Sequence, residues 1–132
     1  MISRAELALL IALAAPAAHA GAPPALDYVL ECRGCHGARG EGAGEVPALT
    51  TAARFLASAR GRAYLVRVPG VAGSEISDAR VAALLNWVLR ELAIDPPAPQ
   101  DFTPFTETEV ARERARKLLD PVRERAEILS AR

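Results

Sequence analysis

Cys32-Arg33-Gly34-Cys35-His36 decides how this chain is read. Two thiols separated by two residues, with an imidazole directly after the second, form the attachment signature of a c-type haem. The two intervening residues let one turn of backbone present both sulfurs to one porphyrin edge, where each adds across a vinyl group as a thioether. The next residue then lies beneath the ring, so His36 is placed to ligate the iron from the proximal side. A zinc site needs a fourth ligand, but the chain holds only two cysteines and two histidines, and His19 falls in a leader-like segment. A thioredoxin-type pair needs a strand ahead of it, and nothing before Cys32 reads as one. The expectation is one covalently bound haem c, with Cys32 and Cys35 as tethers and His36 as the proximal metal ligand.

Ahead of the motif, residues 1–20 read as an export signal. Arg4 and the amino terminus supply positive charge, Leu7 to Ala18 an apolar run, and Ala18-His19-Ala20 a small-x-small cleavage site, with Glu6 out of pattern. The run is shorter than the ~20 residues that cross a bilayer, so the mature chain is expected to begin near Gly21 with no stable membrane span. Export suits the motif, because bacteria attach c-type haem outside the cytoplasm; the expected location is periplasmic. With 16 basic and 16 acidic residues the formal charge is zero, which gives no reason for nucleic acid or an anionic membrane as partner. Aromatic residues make up 5%, little for a self-standing core, and a covalently held macrocycle would supply the missing apolar volume.

Behind the leader, Leu26 to Cys32 reads as a short helix with Leu26, Val29 and Leu30 on one face. Gly37 to Gly44 is too glycine-dense for helix or strand and lacks the lysine and Ser/Thr of a phosphate loop. It reads as a loop whose glycines let backbone run close to a haem edge. After Pro47, Thr50 or Thr51 is expected to cap a short helix through Phe55 and Leu56. Another covers Gly61 to Val68, with Tyr64, Leu65 and Val68 inward and Arg62 and Arg67 outward, ended by Pro69-Gly70. Asp78 to Leu92 is the firmest helix, N-capped by Ser77, with Val81, Leu84, Leu85, Val88, Leu89 and Leu92 at helical spacing. Pro96 and Pro97 close it. No segment alternates long enough for a strand, so the class is all-α.

This order of short helix, CxxCH, Gly-rich loop with a later proline, short helices and a Ser-Asp-capped helix with an aromatic resembles the class I cytochrome c family, over about residues 25–94. The resemblance implies a small haem domain (residues 21–95) whose first and last helices cross, with Trp87 packed between them as plain core. It also implies that the Pro47 carbonyl accepts the proton on the far nitrogen of His36, fixing its tautomer. One feature departs from the family. Its distal methionine should come from the loop before the last helix, yet the only methionine is Met1, and Val68 to Ser74 offers no thioether or imidazole. Three accounts stand: an open or water-ligated iron able to bind NO, CO or O₂; a replacement from Lys117, Tyr64, Asn86 or the new amino terminus; or a ligand from a partner or from His19. Loss of the methionine also implies a lower reduction potential.

Residues 96–132 form an extension. Pro96 to Pro104 is a proline-rich strap that Phe102 and Phe105 anchor. Thr106 and Glu109 resemble a capping box for a helix to about Leu119, with Glu113 and Lys117 as an i,i+4 pair. Asp120-Pro121 starts another through Leu129. Interspersed charges favour a helix packed back by Val110, Leu118 and Leu119 over a docking element for a dehydrogenase or oxidase or a cover over the distal face. The expected function is a periplasmic one-electron carrier serving such a redox partner. The alternative is a gas-binding or sensing haem protein. Peroxidase chemistry needs distal acid–base groups, and the mature chain has no histidine beyond His36, so an enzyme is not expected.

Overall fold

The computed structural model describes residues 22–131. The export signal expected over residues 1–20, with Met1, His19 and the new amino terminus, lies outside them. The described chain is all-α: α1 (Pro24–Glu31), α2 (Arg33–His36), a 3-10 helix (Leu49–Ala57), α3 (Ala59–Arg67), α4 (Pro69–Ala72), α5 (Asp78–Glu91), α6 (Glu107–Arg114) and α7 (Pro121–Ser130). Among the described residues the only β-type pairings are the isolated bridges Ala43–Val46 and Ile94–Pro97. Among the described residues, no helix is long and apolar enough to cross a membrane.

α5 is the element on which the others pack. Ser77 caps it by accepting the Arg80 amide, and Asp78 puts negative charge in its first turn. Val81, Leu84, Leu85, Val88 and Leu89 are buried, and Leu92 is half-buried. α1 packs against it and uses an unexpected face. Leu26, Val29 and Leu30 are 46%, 45% and 67% exposed, while Asp27 and Tyr28 are buried. The reason is tertiary. Arg80 on α5 forms a two-nitrogen ion pair with Asp27, and Tyr28 meets Trp87 with ring centroids 5.4 Å apart. Trp87 therefore joins α1 to α5 as the resemblance implied.

The segment after Ala48 is a 3-10 helix with neither Thr50 nor Thr51 at its N-cap. The Thr50 carbonyl accepts the amides of Ile94 (2.9 Å) and Asp95 (3.0 Å), which draws it off the helix axis and competes with an α-helical bond. Phe55 stacks on Tyr64 of α3 at 4.9 Å. α3 starts at Ala59, two residues earlier than expected, because Ser58 caps it through the Gly61 amide. Its most buried side chain is Val66, which the sequence pattern had not placed inward. Arg62 and Arg67 do not point to open solvent. Arg62 clamps Glu109 and the Thr103 carbonyl, and Arg67 donates to the carbonyls of Arg116 and Lys117. Pro69 to Ala72 forms the one-turn helix α4 where a plain loop was expected.

The extension completes the core. Phe105 and Val110 belong to the same buried cluster as α5. The Asn86 side chain accepts the Phe105 amide (2.7 Å) and donates to its carbonyl (3.0 Å). α6 stops at Arg114, not near Leu119. Just past its end, the carbonyls of Arg116 and Lys117 accept from Arg67 of α3 instead of continuing the helix. Glu113 is buried and pairs with Arg112 and Arg116 instead of Lys117. Only half of the capping box forms: Thr106 accepts the Glu109 amide, but the Glu109 carboxylate goes to Arg62. Leu119 is 89% exposed and contributes nothing to packing, whereas Leu118 is half-buried. α7, capped by Asp120, follows the expected span.

Candidate haem-attachment site

α1 and α2 are nearly one helix, interrupted only at Cys32, whose amide still bonds to the Tyr28 carbonyl. The Cys32 carbonyl in turn accepts the amides of Cys35 (3.2 Å) and His36 (2.9 Å). Positions 32, 35 and 36 thus follow the i, i+3, i+4 spacing that puts side chains on one side of a turn. Both cysteines are free thiols, Cys32 half-buried and Cys35 exposed. Burial pushes the Cys32 thiol up to about 11, with the nearby charges of Glu31, Asp27 and Cys35 adding to the shift.

His36 is positioned from the far side of the following loop. Its Nδ1 lies 2.9 Å from the Pro47 carbonyl oxygen. A carbonyl only accepts, so Nδ1 carries the proton and Nε2 keeps its lone pair for another partner. The loop reaches this contact through glycines. Gly37, Gly40, Gly42 and Gly44 all have positive φ. At Gly42, whose amide bonds to the His36 carbonyl (2.8 Å), an added Cβ would lie 2.5 Å from the Val46 carbonyl oxygen. Tyr28 closes the loop's near end by donating its hydroxyl to the Gly37 carbonyl. Glu41 accepts the Arg39 amide at 2.7 Å, and backbone N–H groups hold its carboxyl below the usual range.

Two thiols and an imidazole with a free Nε2, all on one turn, are the donors a covalently held haem requires, so the residues present fit the group. The exposed apolar face of Leu26, Val29 and Leu30 leads along α1 toward Cys32. Among the described residues no three His, Cys, Asp or Glu side chains cluster as a metal site would need.

The candidates for a distal ligand are engaged elsewhere. Asn86 spends both amide atoms on Phe105. Tyr64 is buried against Phe55, and desolvation raises its hydroxyl above the ordinary range. Lys117 is exposed beyond the end of α6. The stretch from Val68 to Ser74 is held from the extension, since Arg114 donates to the carbonyls of Ala72, Ser74 and Ile76 and pairs with Asp78. Sequence reasoning missed Tyr28, Gly42 and Arg114 as supports. Tyr28 was detectable by its place four residues before Cys32; Arg114 left no signal, because its acceptors are backbone. No protein-family model matches the chain, and no curated protein sequence matches it.

Proposed function

We propose that this protein is an exported c-type cytochrome of the class I kind, a periplasmic one-electron carrier and not an enzyme. The observation that carries the reading is the His36 Nδ1–Pro47 hydrogen bond beside two free thiols on the same turn. When bound, a haem supplies reversible one-electron chemistry at its iron. The chain's own residues do the rest. Cys32 and Cys35 supply the sulfurs for two thioether bonds. His36 offers Nε2 as the proximal ligand, and Pro47 holds the ring in that tautomer. Tyr28 and Gly42 fix the loop that brings Pro47 there. The partner is an exported dehydrogenase or an oxidase.

The test is expression with its leader in a host that has c-type maturation machinery. Mass spectrometry should find about 616 Da added to the processed chain, abolished in Cys32→Ala/Cys35→Ala. Bare polypeptide with two free thiols overturns the reading. Asn86 and Tyr64, spent on packing, favour a second reading in which the distal side is open to a small gas. A CO-induced shift of the ferrous spectrum supports that reading. A low-spin six-coordinate spectrum in both oxidation states, unchanged by CO, removes it.

A further inference from the structure

We propose that the cleft between α3 and α6 binds a small polyanion carrying two or more phosphate or carboxylate groups. The cleft encloses about 350 Å³, the size of a small-molecule site. Five arginines and only two glutamates line it, and the pairing leaves positive charge over. Arg62 takes Glu109 for itself. Glu113, 4% exposed, is shared between Arg112 and Arg116, so one of those two guanidinium charges has no carboxylate. Arg67 is spent on two backbone carbonyls, which carry no charge to balance it. Arg60 is balanced from outside the cleft by Glu124 and Glu127. Two cationic charges therefore face a confined space without counter-charge, which is the demand a dianion meets.

The donors for such a ligand line the cleft. Arg112 and Arg116 are more than half exposed, and each commits a single nitrogen to Glu113. A guanidinium has five N–H groups, so both keep a fork suited to phosphate or carboxylate oxygens. Buried Glu113 acts as a strut that holds the two heads in place, which lowers the ordering cost of binding. On the α3 side, Ala59 and Ala63 stand one turn apart and contribute only methyl groups, leaving room for the ligand. Arginine stays protonated across the working pH range, so the site does not switch off near neutrality. A concave space of this volume suits a compact ion better than a flat row of carboxylates on a protein partner. The proposal rests on no part of the haem reading.

The experiment is titration calorimetry of the full mature protein with pyrophosphate, at constant ionic strength, with chloride as control. Saturable one-site binding is expected, with a melting temperature that rises with pyrophosphate and not with equivalent chloride. Arg112→Gln, which leaves Glu113 paired with Arg116, should weaken binding at least about tenfold. Ala63→Glu removes no guanidinium but places a carboxylate in the cleft, and should abolish binding without lowering the melting temperature. Absence of saturation up to ~10 mM overturns the proposal. So does equal affinity in folded Ala63→Glu, or binding of poly-glutamate with none of pyrophosphate, which would assign the surface to an acidic protein.

Discussion

At the residue scale, the site turns on a bond to backbone. The acceptor for His36 Nδ1 is the carbonyl of Pro47 and not a side chain. Pro47→Ala keeps that carbonyl, and only chain entropy changes, about 0.5 kcal/mol on denaturant unfolding. Gly42→Ala is expected to cost about 2 kcal/mol in the same measurement. Its φ of +73° and the approach of the Val46 carbonyl leave no place for a methyl group. The two free thiols should also differ in reactivity. With the Cys32 thiol pushed up to about 11, only ~0.1% is thiolate at pH 8. Exposed Cys35 is therefore expected to be alkylated first, and Cys32 alkylation should rise about tenfold per pH unit through pH 10. Mass mapping of iodoacetamide adducts against pH reads this directly, and a pH-independent Cys32 rate would contradict it.

At the element scale, α1 packs on α5 through an ion pair and an aromatic contact. Asp27 is 1% exposed, and Arg80 is its charged partner. Arg80→Ala leaves a buried carboxylate without its cation and should destabilise the fold by about 3 kcal/mol in urea unfolding. A cost below ~1 kcal/mol would show that α1 is held by the packing of Tyr28 against Trp87 and the core, and not by the ion pair. The buried face of α1 was not legible in its own sequence, because the helix carries apolar residues on the opposite side. Those residues, Leu26, Val29 and Leu30, formed the pattern that periodicity detects. The face that packs is chosen by Arg80, which lies 53 positions further along the chain. α5 was legible in full, since its cap, first-turn charge and apolar stripe are all local.

At the scale of the whole molecule, residues 96–131 pack into the same core as α5 and are not an appendage. Phe105 and Val110 are buried within it, worth about 2 kcal/mol each in apolar burial. Arginines on α3 hold the helices beyond them. Arg60 bonds Glu124 and Glu127 of α7, and these bonds lower both carboxyls from their ordinary 4.5. A depressed folded value means the carboxylates bind protons more weakly in the folded chain. Their contribution is thus fully present above the ordinary value and is lost as pH falls through the folded values. Corrected for the intrinsic exchange rate at each pH, amide protection in α7 should fall as pH drops below the ordinary 4.5 while α5 stays protected. An equal loss of protection in both helices would mean that α7 does not loosen separately.

The juxtaposition of Cys32, Cys35 and His36 on one turn was readable from the chain alone, because one turn is contiguous sequence. The all-α class and the ends of α5 and α7 were readable for the same reason: Ser77, Asp120 and Pro121 act on backbone a few residues away. Only the folded chain decided which side of α1 is buried, that Arg62 and Arg67 bind the extension, and that α6 stops at Arg114. Each of these depends on long-range ion pairs or on bonds to carbonyls. A guanidinium can reach such an acceptor from any part of the chain, and a carbonyl is present at every residue, so no local pattern marks the one it will choose.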